Sequence, residues 1–310
     1  MKIQKQTDRK HCFKKERRNF LKFAGSVLGI LMTSPGCFAE TVKTISPQDK
    51  PEKLQKAAKM ARGAGDIVAS STELDYDSEF AIGEKLALEG FRRYGLPVED
   101  QAIQKYVNLV GNAVARNANR PGIPYHFVLV QSPLYNAFSC PGGIIFISSA
   151  MMKSMRDESQ LAGVLAHEVS HVGHKHALQS VRGAKFFEGV DKITRVMMKD
   201  KQREKAFQEM IRSLQTILFD QGLDKNMEFE ADLSGMEAAY RTGYDPAGFI
   251  NVLSMLQIKK DTAQKSGSWF LTHPPLNVRI EKCRDKMKDY PDARDLARVK
   301  RRFLSYQRRL

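Results

Sequence analysis

Apolar residues recur three and four positions apart at Ile103, Tyr106, Val107, Val110 and Val114, a spacing that lines one face of an α-helix over residues 100–118. Residues 77–94 also read as helical, and both segments are expected to pack as scaffold. The rhythm then changes. After the turn NRPGIP, the runs YHFVLVQ (125–131) and GGIIFIS (142–148) are short and rich in β-branched residues, which predicts strands. A long helical stretch follows over 157–182, then a charged amphipathic segment, 185–221, then KNMEFEADLSGMEAAYRTG (225–243). Gly243 and Pro246 close that last helix and open the next. Helices, a small sheet and then mostly helices predict a mostly helical α+β fold with a small antiparallel sheet.

The polar stretch 40–75, built around a short Ala/Lys helix pattern at 52–62, predicts a leader arm rather than a core element, leaving 76–310 as the main domain. Ahead of it stands KKERRNFLKFAGSVLGILMTSPGCFAETV. Arg17 and Arg18, an apolar run from Phe23 to Met32 too short to span a bilayer, and a small-residue end at Ala39 follow the order of an export signal over residues 1–39. The stretch RRNFLK is similar to a twin-arginine signal, with Glu16 where Ser or Thr is usual. That predicts an exported, periplasmic protein. Cys37 in SPGC is the rival reading, a lipid anchor, with Ser34 standing where such a site wants Leu.

Composition changes the picture in two places. The chain has 310 residues, 42% of them hydrophobic, and a net charge of +15, which first suggests nucleic acid or a membrane surface as partner. Residues 1–39 hold nine Lys/Arg against two acids, so their removal lowers the charge to +8, and with the export signal this argues against nucleic acid. Of four cysteines only Cys140 and Cys283 lie beyond the signal, where one disulfide can form if they meet.

The chemistry is concentrated in VLAHEVSHVGHKHAL (164–178), which holds four of the seven histidines. His167, Glu168 and His171 form HExxH. Residues four apart share a helix face, so two imidazoles converge on one cation, and Zn2+, one per chain, suits imidazole and carboxylate ligands. Glu168, one residue on, points to the water side of the metal as general base. In EFEAD, Glu228 and Asp232 lie four apart on one helix, so Glu228 can complete the ligand set while Asp232 reaches the free N–H of a ligand histidine. Glu230 is the rival ligand, on the other side of that helix.

HExxH followed by ExxAD resembles metallopeptidase family forty-eight, which contains the HtpX heat-shock proteases and the CAAX prenyl proteases, within the zincin-type gluzincins. YNAFSCPGGIIFISSAMM (135–152) is similar to the family's edge strand and its lead-in, and LTHPPLNVRI (271–280) to its His-Pro segment. The resemblance spans about 75–285. It implies His167, His171 and Glu228 as ligands, Glu168 as base, Asp232 behind a ligand, and His273 as a histidine that blocks the metal or stabilises an oxyanion. It also implies Arg279 near the cleft and Asn136 leading into the edge strand. Gly142 and Gly143 leave the backbone of GGIIFIS open to close approach, so this strand is expected to be the edge that pairs with substrate. By helical rotation His176 faces away from the ligands and is expected to be structural, and His174 is expected at the cleft rim.

Together these residues predict an exported zinc metalloendopeptidase acting on polypeptides, with unfolded or misfolded envelope proteins implied by the resemblance. The rival is a chaperone-like envelope adaptor that keeps a structural zinc; an intact Glu168 argues against it. The segment 185–221 is expected to pack one apolar face on the domain, with a lid or membrane-surface helix as rivals. The basic tail RVKRRFLSYQRRL is expected to be a solvated helix end, with anionic membrane contact as its rival.

Overall fold

The computed structural model describes residues 74–181, 201–263, His273 and 276–310. The chain divides into two units, Met1–Gly63 and Ala64–Leu310, and every described residue belongs to the second. The export signal, Cys37 and the leader arm as far as residue 73 lie outside the described residues, as do 182–200, which include the charged segment as far as residue 200.

Helix α1 (Tyr76–Tyr94) starts where the Asp75 side chain accepts from Ser78 N and stops at Gly95, whose φ of 105° favours glycine. Helix α2 (Gln101–Ala115) is capped by Asp100, and its five periodic apolar residues are all buried, as the spacing predicts. Three strands follow: β1 (His126–Val130), β2 (Ala137–Cys140) and β3 (Ile144–Ser148), in the spatial order β1-β3-β2. Phe127, Leu129, Ile145 and Ile147 pack towards the core shared with α2, while Val128, Val130, Phe138 and Phe146 belong to a second core shared with α1. Both faces are covered, which is why β1 and β3 read as continuous apolar runs.

The sheet is small, as expected, but mixed: β2 pairs antiparallel with β3, and β1 pairs parallel with it. GGIIFIS is not the edge. Its strand β3 lies in the middle with all five residues buried, and the edge next to the histidine helix is β2. The glycines serve the turn between β2 and β3 instead. Gly142 and Gly143 take φ of 77° and 96°, and a Cβ on Gly142 would stand 2.5 Å from Phe80 Cα.

Short α3 (Ser149–Ser154) leads to the histidine helix, α4 (Glu158–Gly173), which is buried on all sides from Glu158 to Val172. It does not run on to 182: His174 caps it, Lys175 turns left-handed at φ 56°, and α5 (His176–Ser180) begins afresh. Helix α6 (Lys201–Thr216) and the wide turn Ile217–Gln221 bury Phe207, Met210, Leu214, Leu218 and Phe219 against the second core, so the described part of the charged segment packs one apolar face on the domain. Helices α7 (Lys225–Arg241), α8 (Ala247–Ala263), α9 (Leu276–Lys286) and α10 (Lys300–Gln307) complete the fold. The tail is more than a solvated end. Phe303 is fully buried, and Gln307 Nε2 donates to the carbonyls of Met152 and Met155. Cys140 and Cys283 are both buried free thiols, each pushed above the usual thiol range by burial, rather than a disulfide.

Glu158, the first residue of α4, anchors this arrangement. Its carboxylate accepts from Tyr106 Oη at 2.7 Å, Tyr244 Oη at 2.7 Å and Arg302 Nε at 2.7 Å, with Arg302 Nη2 on its other oxygen. Burial works to raise its pKa, but the bonds from Arg302 and the two tyrosines hold it below the usual glutamate value. A lowered folded-state pKa means that the stabilisation is complete above the unfolded value and is lost as pH falls through the folded one. Glu158→Ala should therefore cost about 2–3 kcal/mol near neutrality, since it leaves two buried tyrosine hydroxyls without their acceptor while the half-exposed Arg302 turns to solvent, and the deficit should shrink in acid. Urea unfolding across pH checks both; equal stability of variant and wild type at pH 7 would remove Glu158 from this role.

Candidate metal centre

The site is built where α7 crosses α4. At Gly235 a Cβ would stand 2.9 Å from His167 N, so only glycine lets the two helices approach this closely. That approach sets Glu228 and Asp232, one turn apart on α7, opposite His167 and His171, one turn apart on α4. The two Nε2 atoms of the histidines lie 3.1 Å apart. Glu228 Oε2 is 3.8 Å from His167 Nε2, and Glu228 Oε1 is 3.5 Å from His171 Nε2. His273 joins them, its Nε2 3.9 Å from Glu228 Oε1 and 3.8 Å from Glu168 Oε1. These four residues each bring one donor atom within 4.8 Å of the others, and all are buried.

A second layer fixes the first. Asp232 Oδ1 stands 2.9 Å from His167 Nδ1, and Arg279 clamps Asp232 through Nε at 2.8 Å and Nη2 at 2.5 Å. The same guanidinium reaches Glu228 Oε2 at 2.9 Å and donates to the carbonyl of His273 at 3.2 Å. Arg279 is fully buried on α9, not a solvated helix residue.

Burial pushes His167 down to about 4 and His171 well below the usual histidine value, so both rings are neutral and offer lone pairs. Burial pushes Glu228 well above the usual carboxylate range against the pull of Arg279, and Glu168 up to about 8 against a hydrogen bond from Ser139 and the charge of Arg279. Among the described residues, neither Oε1 of Glu228 nor Oε1 of Glu168 has a hydrogen-bond partner, while Glu228 Oε2 pairs with Arg279. Buried carboxylate oxygens left this way are costly, and a cation set between two neutral imidazoles and a carboxylate removes the cost. The residues present fit a zinc ion.

Seven of the nine residues singled out in the sequence come together here: His167, Glu168, His171, Glu228, Asp232, His273 and Arg279. Asn136 and Gly143 do not line the hollow beside Glu168, whose walls include Phe138, Ser139, Leu218, Leu223 and His273. Asn136 instead ties β2 to the end of β3, its N–H donating to Ser148 Oγ at 3.1 Å, and Gly143 packs against the carbonyl of Pro124. Sequence reasoning missed Ser139 and the 217–223 wall. It also placed His176 on the far face, whereas its Nδ1 lies 2.8 Å from that of His171. Glu230 is no ligand in this cluster; it meets His174 and His176.

Residues 101–287 match the model of Peptidase family M48, more than half of the chain. The chain is 29% identical over 236 residues to a beta-barrel assembly-enhancing protease of Yersinia pestis, covering 73% of this chain and 48% of that protein. The protein of that name in Escherichia coli K12 is 27% identical over 195 residues, with 61% and 40% covered. A mitochondrial metalloendopeptidase OMA1 of Arabidopsis thaliana is 25% identical over 177 residues, with 57% and 34% covered. The chain thus spans less than half the length of these three relatives. Two helices meeting at one buried His/Glu cluster, and a family match running across both, lead to the same conclusion: the chain belongs to peptidase family M48.

Proposed function

We propose that this chain is a zinc-dependent endopeptidase that cuts unfolded polypeptides of the cell envelope. The observation that carries the reading is the convergence of His167, His171, Glu228 and His273 beside a buried Glu168 whose Oε1 has no hydrogen-bond partner among the described residues. His167, His171 and Glu228 would hold the metal. A bound zinc supplies Lewis acidity, which lowers the pKa of water and polarises a carbonyl. Glu168, made more basic than an exposed glutamate by burial, takes the proton from the attacking water and returns it to the leaving amine. His273, with Nε2 aimed between Glu168 and Glu228, is placed to donate to a developing oxyanion.

The substrate is read from β2. Its residue Ser139 hydrogen-bonds Glu168, and β2 is an edge of the sheet among the described residues, so an extended peptide adding to that edge brings its backbone over the base. Leu218 and Leu223 wall the same hollow and must move aside for a peptide to enter. Export follows from the twin-arginine-like residues 1–39, with 40–75 as an arm and 76–310 as the catalytic domain. Envelope clients accord with the names of the bacterial relatives. No helix among the described residues is long and apolar enough to cross a membrane.

Metal analysis tests the ligand set. The chain lacking residues 1–39 should hold about one zinc, cleave an unfolded protein and stop when a chelator is added, and Glu228→Ala should lose most of the metal. Full zinc occupancy in Glu228→Ala would move the third ligand elsewhere.

A further inference from the structure

His176 and Glu230 have no part in the reading above. His171 and His176 meet edge to face with their Nδ1 atoms 2.8 Å apart, and His176 is fully buried. On its other side, His176 Nε2 lies 3.1 Å from Glu230 Oε2, and the Glu230 side chain is half exposed. Two ring nitrogens that close require one to donate and the other to accept. His171 Nε2 faces His167 and Glu228; as a ligand it must carry a lone pair, so the His171 proton sits on Nδ1. That proton is donated to His176 Nδ1. The proton of His176 then sits on Nε2, aimed at Glu230. One condition, ligation through His171 Nε2, fixes every proton in the row.

We propose that Glu230, acting through His176, is a positioning group for the metal ligand His171. The inference rests on the zinc reading above. It gives the two ligand histidines different supports: His167 is backed directly by buried Asp232, itself held by Arg279, and His171 through a second imidazole by a carboxylate in contact with solvent. The backbone is bent to make this possible. On an uninterrupted helix, five residues on from His171 falls about 140° round the axis. Lys175, a non-glycine residue at φ 56°, breaks α4 and brings His176 back against His171, a left-handed conformation that non-glycine residues rarely adopt.

A second cation at His174, His176 and Glu230 is the competing use of the same residues. The hydrogen bonds favour the relay. His174 Nε2 lies 2.6 Å from the Asn119 amide and its Nδ1 3.2 Å from Glu230 Oε1, so both ring nitrogens are engaged, and His176 Nε2 cannot donate to Glu230 and ligate as well.

The test measures zinc dissociation constants by competition with a chromogenic chelator, and zinc content by mass, for the chain without residues 1–39. Glu230→Ala and His176→Ala should each weaken zinc binding about 10- to 100-fold, the range for groups behind a ligand. Glu230→Gln, whose amide oxygen still accepts from His176, should recover most of the loss. The double variant should bind no worse than His176→Ala alone, because Glu230 acts only through that ring. His174→Ala should bind zinc as wild type does, and metal-free Glu230→Ala should unfold at the wild-type temperature. Additive losses, wild-type affinity in Glu230→Ala, or a second zinc that His174→Ala removes would each overturn the relay. If His176→Ala does not fold, the comparison of Glu230→Ala with Glu230→Gln decides. Wild-type protein that binds no zinc would sink the metal reading and this one with it, whereas loss of the relay alone leaves one tightly bound zinc in place.

Discussion

Glu168→Gln is expected to keep its metal and its fold while cleaving unfolded protein at least about a hundredfold more slowly, the low end of what a positioned acid or base contributes. The side chains differ by one group, and the pocket around them is closed: Glu168 is 1% exposed and takes a hydrogen bond from Ser139. An amide of the same shape keeps the packing, and it leaves the donor atoms that His167, His171 and Glu228 offer a metal untouched. What it removes is proton affinity. Burial raises that of Glu168, and no other carboxylate of the site can replace it, because Glu228 stands among the ligand atoms and Asp232 is clamped by Arg279. Cleavage rates, zinc content and thermal midpoint measured on one preparation make the check, with wild type required to cut first. Wild-type turnover by a fully metallated variant would place the chemistry at another site.

Arg279→Ala should have the largest effect on stability, about 3–5 kcal/mol, because it strands buried carboxylates. Arg279 is 0% exposed and pairs with Asp232 and Glu228, themselves 1% and 0% exposed. Burial alone would raise the pKa of Asp232, but Arg279 and His167 hold it below the usual aspartate value. That stabilisation is present above the unfolded pKa and is lost as pH falls through the folded one. Without the guanidinium only His167 opposes burial, and Asp232 takes up a proton more readily. The gap between variant and wild type should therefore narrow in acid. Arg279→Lys should fall between them, since a single ammonium cannot reproduce the two-pronged hold on Asp232. Chemical unfolding of the metal-free proteins at several pH values measures all three; a variant as stable as wild type at pH 7 would show that the carboxylates find compensation elsewhere.

What could be read beforehand was whatever one helix states by itself. The period of α2, the i, i+4 spacing of His167 with His171 and of Glu228 with Asp232, and the stop at Gly243 are local, and the described structure has them. His273 and Arg279 came from resemblance, since nothing in their immediate sequence says that one carbonyl and two carboxylates will surround a guanidinium. The misplaced features are non-local. β2 has four buried residues and no alternation, so its pattern gives no strand signal, and which strand lies at the edge depends on pairings that the runs themselves do not encode. The end of α4 carries no proline, and the left-handed turn falls on Lys175 rather than on Gly173, so rotation carried past it put His176 on the wrong side. Arg302 reads as one more base in a basic tail, and only the fold shows what it meets.

That meeting has a consequence in time. Glu158 opens the helix that carries the histidines, and its charge is neutralised by a residue 144 positions later in the chain. During synthesis the whole buried cluster, His167, His171, Glu228 and His273, emerges before Arg302 does. Until then the helix begins on a carboxylate with two tyrosines and no cation, so the start of α4 is secured last. A chain interrupted short of Arg302 would carry His167, Glu168 and His171 and lack the cation that seats the first turn of their helix.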